Sequence, residues 1–202
     1  MPGRALAAVG LLTLGLFGTG MGLAELGVAP PSVPGWGALD GGPAGPALPY
    51  SRPVGITIPA IGVRARVEAV GRARNGAIDP PPLEQAETAG WYAEGPAPGE
   101  PGASVIVGHV DDRSGPAVFY RLGALRPGTR IEVTRRDRRV AVFRVDAIRE
   151  YPKSALPTVE VFGERTRPVL RLITCGGRWV GGPLGYADNV VVFATLQAAD
   201  ER

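Results

Sequence analysis

Cys175 and His109 are the only cysteine and the only histidine in 202 residues. One thiol and one imidazole are the minimum set for nucleophilic catalysis by a thiolate. Each sits where an apolar, strand-like run gives way to glycine and polar residues. Ser104-Val105-Ile106-Val107 leads into Gly108-His109-Val110-Asp111-Asp112, and Val169-Leu170-Arg171-Leu172-Ile173-Thr174 leads into Cys175-Gly176-Gly177-Arg178. Strand ends that open into glycine-rich loops hold a reactive side chain on a rigid scaffold while admitting a substrate. Period-two alternation places Arg171, Ile173 and Cys175 on one face, so the thiol shares its side with a charge. The plain alternatives are an inert core cysteine and a histidine bonded to a carbonyl.

Other chemistries lack their residues. Zinc needs three or four nitrogen, sulfur or oxygen ligands, and no ligand-spaced cluster is present. Asp111, Asp112 and Glu94 do not have a spacing that demands calcium. No phosphate-binding or dinucleotide motif occurs, so no cofactor or metal is expected. A net charge of +3 is too small to argue for a nucleic-acid partner. The run Arg135-Arg136-Asp137-Arg138-Arg139 reads as a solvated hairpin turn. Its alternative is a contact with anionic wall polymer or lipid head groups.

The elements that must position this pair are short strands separated by Pro and Gly turns. Residues 54–58, 63–67, 105–107, 131–134, 140–145, 169–174 and 189–196 read as strands. Helical texture is confined to a turn near 82–88 and a short piece at 117–122. The expected fold class is mainly β: one closed barrel or sandwich over residues 54–198. Residues 24–53 are rich in Pro, Gly and Ala with almost no charge, and read as a spacer.

Residues 5–23 carry no charge. At about 1.5 Å per residue the run is long enough to cross a hydrocarbon core of roughly 30 Å. Arg4 precedes it and Glu25 follows, a weak positive bias that leaves the rest of the chain outside the plasma membrane. Residues 1–23 therefore read as an N-terminal transmembrane anchor, with a cleaved signal peptide as the alternative. Both export the domain, and a lone cysteine there excludes a disulfide framework.

His before Cys, with Cys175 66 residues after His109 and Ile173-Thr174 just ahead of the thiol, resembles sortases, most closely the actinobacterial class F/E type. The matching residues are Ile58-Pro59-Ala60-Ile61-Gly62-Val63, Val107-Gly108-His109-Val110-Asp111, Phe119-Tyr120-Arg121-Leu122, Leu125-Arg126-Pro127-Gly128, Leu172-Ile173-Thr174-Cys175-Gly176-Gly177 and Asp188-Asn189-Val190-Val191-Val192-Phe193-Ala194. The resemblance implies an eight-stranded barrel and a membrane-anchored cysteine transpeptidase. Its partners would be secreted proteins with a C-terminal Leu-Pro-x-Thr-Gly-type sorting signal and a peptidoglycan amine. Cys175 would form the thioester, and His109 would move the protons. A catalytically weakened wall-peptide-binding module and a peptidase that releases its substrate to water are the alternatives.

One departure bears on rate. The family usually carries an arginine at the start of the strand after the cysteine, where it steadies the oxyanion. The position matched to it here is Asn189. Arg178, three residues past Cys175 and following two glycines, is the preferred substitute donor, with Asn189 the alternative and Arg171 a third.

Overall fold

The computed structural model describes residues 43–182 and 185–201. The apolar run 5–23, and with it the expected anchor, lies outside them. In chain order the strands are β1 (Pro53–Ile58), β2 (Val63–Val70), β3 (Ala89–Tyr92), β4 (Gly102–Val107), β5 (Asp111–Asp112), β6 (Gly115–Pro116), β7 (Arg130–Arg135), β8 (Arg139–Pro152), β9 (Pro168–Gly181) and β10 (Gly185–Glu201). The helix α1 (Thr158–Phe162) stands between β8 and β9.

Alternation along these strands sends Ile56 and Ile58, Ile131 and Val133, Ala141, Phe143 and Val145, Leu170 and Leu172, and Val192, Ala194 and Leu196 to one interior. Eight strands close around it in the order β1-β2-β3-β4-β9-β10-β8-β7. An eight-stranded barrel is just wide enough for side chains to fill. Here Trp91, Phe119 and Leu122 complete the filling. Neighbours are antiparallel except β2 with β3 and β4 with β9. β5 and β6 form a separate two-stranded ribbon.

The outer face of β8, β10 and β9 is also covered. Val161 of α1 packs with Ala147, Val191 and Phe193, and Tyr151, Leu156 and Ile173 close round them. This second burial explains why residues 169–174 are almost continuously apolar, as strands covered on both faces are. Arg171 lies in this layer, stacked 4.5 Å from the Phe193 ring centroid. Its Nε donates to the Val161 carbonyl at 3.1 Å and one terminal nitrogen to the Leu170 carbonyl at 3.2 Å. Burial pushes its guanidinium down to about 10.

The mainly-β expectation holds, with differences of detail. β9 does not end at the cysteine but runs on through the glycines to Gly181. β3, β5, β6 and α1 have no counterpart among the expected elements, and residues 118–121 form a turn that leads into a 3-10 helix at Leu122–Ala124. Arg135 is 1% exposed, not solvated: it donates to the carbonyls of Pro98 (2.9 Å) and Pro49 (2.5 Å) and pairs with Asp137. The acceptor at Pro49 belongs to a segment ahead of β1 that lies against the barrel, with Leu48 buried and its N–H bonded to the Gly99 carbonyl.

Candidate active site

The parallel pairing of β4 with β9 builds the site. Gly102 faces Pro168 and Val107 faces Ile173, a constant offset of 66 residues. The Gly108 N–H extends the ladder to the Ile173 carbonyl at 3.1 Å, and the Thr174 hydroxyl returns a bond to the Gly108 carbonyl at 2.8 Å. The same offset carries His109 to Cys175, the spacing seen in the sequence. His109 lies two residues past Val107 and Cys175 two residues past Ile173, the last partners of this pairing.

Cys175 is half-buried and free. It continues the outer face of Ile173 and Arg171, and across the antiparallel ladder it faces Asn189 of β10, which in turn faces Tyr151 of β8. Thr174 points the other way, into the barrel, and is 4% exposed. One residue is buried and bonded so that the next can be open to a substrate.

His109 is anchored through one nitrogen. Its Nε2 lies 2.7 Å from the Pro81 carbonyl. A carbonyl only accepts, so Nε2 carries a proton and Nδ1 is the nitrogen left to exchange one. The carbonyl-bonded alternative and the chemical role are thus compatible in one ring. The His109 carbonyl accepts from Phe119 N–H at 2.9 Å, which fixes the backbone beneath the ring.

Gly108 permits this arrangement. A Cβ there would stand 2.6 Å from Cδ2 of Phe119 and 2.7 Å from Cγ1 of Val118. Phe119 is fully buried, so it cannot swing aside. Gly108→Ala is expected to destabilise the fold by about 1–3 kcal/mol through overpacking and to displace His109. Thermal melting together with peptide turnover checks this. A variant as stable and as active as the parent would show that the close approach does not matter.

Past the cysteine the strand is bulged. Asp188 faces Gly176 and Tyr186 faces Trp179, so Gly177 and Arg178 together oppose Ala187. Gly177 has φ +72°, the left-handed conformation of a glycine bulge. A Cβ on it would collide with the Asp188 carboxylate. Arg178 follows on the exposed part of the hairpin. The structure therefore faces Cys175 with Asn189 across the ladder, holds His109 two residues past the β4–β9 pairing, sets Arg178 beyond the bulge, and keeps Arg171 four residues back under α1.

In the sequence Tyr186 has no marked role, and Asp111, Asp112 and Glu94 read only as carboxylates without calcium spacing. Tyr186 donates to Oδ2 of Asp111, and its ring meets Trp179 edge-on at 5.0 Å and 76°. Asp112 accepts from the Ser114 hydroxyl and from the Ser114 and Gly115 amides, which hold its carboxyl below the usual range. Glu94 pairs with Arg72 and accepts from Tyr92. Among the described residues no three His, Cys, Asp or Glu side chains gather as a metal site.

The sortase-domain family model matches residues 56–197. No curated protein matches the chain by sequence. Among solved structures, the chain is similar to the Group B Streptococcus pilus island 1 sortase C2, at 20% identity and a TM-score of 0.56, covering 75% of this chain and 77% of that one. It is similar to sortase C-1 from Actinomyces oris at 20% identity and 0.57, covering 71% and 73%. Sortase A from Corynebacterium diphtheriae gives 20% and 0.58, covering 75% and 63%. At such identities the likeness to these structures is one of fold.

Proposed function

The chain belongs to the sortase family of cysteine transpeptidases, and from that premise we propose that it cleaves a C-terminal Leu-Pro-x-Thr-Gly-type sorting signal between Thr and Gly. The acyl group then passes to a cell-wall amine. The reading rests on one observation, the 66-residue offset of the β4–β9 pairing, which is also the separation of His109 and Cys175. Cys175 Sγ attacks the Thr carbonyl carbon, and the C–N bond to glycine breaks as His109 protonates the leaving amine. The thioester is then attacked by the incoming amine, whose proton returns to His109 as the thiolate leaves. The residue resemblance supports a class F/E-like member.

Position favours Asn189 over Arg178 as oxyanion donor. Asn189 faces Cys175 across the ladder, whereas Arg178 lies past the bulge and is exposed. A donor must stand about 2.7–3.1 Å from the developing oxygen, and losing one costs about 10²–10³ in rate. Asn189→Ala is expected to lose acylation on that scale in single-turnover assays, with Arg178→Ala near the parent. The reverse result would restore Arg178.

We place the domain outside the plasma membrane, held by residues 1–23. The charge-free run and the Arg4 bias support this, while among the described residues no helix is long and apolar enough to cross a membrane. A reporter fused after Arg202 is expected to be active on the extracytoplasmic side. Cytoplasmic activity of the fusion overturns the topology and, with it, wall attachment.

Incubation with a fluorogenic sorting-signal peptide, with and without an amine acceptor, tests the function. Amine-dependent formation of the conjugate is expected. Cleavage indifferent to the amine means a peptidase that releases its substrate to water. Binding without cleavage means a wall-peptide-binding module.

A further inference from the structure

The segment that carries His109 leaves the barrel at Val107 and turns into the separate β5–β6 ribbon. We propose that Tyr186 is a positioning residue for the acid/base: its hydroxyl, donated to the Asp111 carboxylate, fastens the His109 segment to the strand that flanks Cys175. The inference rests on the roles given above to Cys175 and His109.

Three observations carry it. Asp111 lies two residues past His109, and Tyr186 three residues before Asn189, so the bond ties the two sides of the thiol together. The phenol ring is aimed by its edge-on contact with Trp179 and by the half-buried site at the start of β10. Its titration is raised first by the bond to Asp111 and further by burial and by the Asp111 charge. The phenol consequently keeps its proton, and remains a donor, through the neutral range. That single proton is given to Asp111, so the hydroxyl does not serve an oxyanion at the same time. Tyr186 therefore acts through His109 and not on the substrate. Asp112 is not interchangeable with Asp111, because its carboxylate is occupied by Ser114 and Gly115.

Misplacing a reacting group by about 1 Å costs on the order of 10²-fold in rate. Tyr186→Phe keeps the ring and removes the hydroxyl. It is expected to lower kcat for peptide acylation about 10- to 100-fold, with KM and melting temperature near the parent. Asp111→Ala should match it, whereas Asp111→Asn, which keeps an acceptor oxygen, should recover most of the rate. The deciding measurement is the rate of Cys175 alkylation by iodoacetamide in the full chain, for Tyr186→Phe, His109→Ala and the double variant. If Tyr186 acts through His109, each single variant slows alkylation and the double variant is no slower than His109→Ala alone. A further slowing in the double variant, or parental kinetics for Tyr186→Phe, overturns the proposal. Parental alkylation in His109→Ala overturns instead the pairing of His109 with Cys175.

Discussion

Replacing Cys175 by alanine is expected to abolish turnover, by roughly 10⁴–10⁶-fold, while the protein stays folded. The size of the loss follows from the absence of any second thiol to form the acyl intermediate. Removing the nucleophile from an acyl-enzyme mechanism leaves the contribution of binding and oxyanion stabilisation, and nothing that forms a bond. Stability should change by about 1 kcal/mol or less, because the side chain is half-buried on the outer face, whereas Leu172 and Thr174 bear the packing and bonding on the inner one. Mass spectrometry of the enzyme mixed with a sorting-signal peptide reads the result directly. The parent accumulates a thioester adduct on Cys175, and the variant accumulates none. A variant that still cleaves within about tenfold of the parent rate, a difference of only ~1.4 kcal/mol in barrier, removes the thiol from the mechanism.

The parts of this site that were legible in the sequence are those fixed by strand periodicity. Alternation in residues 169–174 assigns Leu170, Leu172 and Thr174 to the interior and Cys175 to the outside, and the barrel keeps that assignment. The 66-residue spacing of His109 and Cys175 equals the register of the β4–β9 pair, whose last partners, Val107 and Ile173, stand two residues earlier. A spacing that the sequence offers as a bare number is, in the fold, the register of the two strands that lead to these residues.

What was not legible depends on partners distant in the chain. The Pro81 carbonyl that holds the imidazole is 28 residues upstream, in a proline run with no marker of such a role. Tyr186 and Asp111 are 75 residues apart. Arg135 reads as one more charge in a turn until Pro49 and Pro98 offer it carbonyls. Gly90 of β3 carries no signal in the sequence, yet a Cβ there would stand 2.8 Å from Cγ1 of Val70 and 2.9 Å from Cδ of Pro81. Its small size serves close approach of two chains, the chain bearing Pro81 among them. Gly176 and Gly177 read in the sequence as the start of a loop. Here they form a bulge within β9.

His109→Ala is expected to cost about 10²–10⁴-fold in acylation, the usual worth of a placed acid/base. No second imidazole exists to substitute for it. The loss should depend on the leaving group in a way that identifies the step. Expelling glycine from the tetrahedral intermediate requires a proton on its nitrogen, and Nδ1 is the position that Pro81 leaves available. An alkoxide leaves more readily than an amide anion. A depsipeptide with an ester in place of the Thr–Gly amide should therefore acylate the variant with a much smaller defect. The parent's pH–rate profile should have two limbs, since one partner acts deprotonated and the other protonated. Those limbs belong to the thiol–imidazole pair jointly and not to either residue alone. In the variant the limb that requires a protonated partner should disappear. If ester and amide substrates suffer equally, His109 orients the thiol or the substrate instead of protonating the amine. If the parent's profile is flat between about pH 5 and 9 with chemistry limiting, no proton transfer by a side chain of ordinary acidity controls the rate.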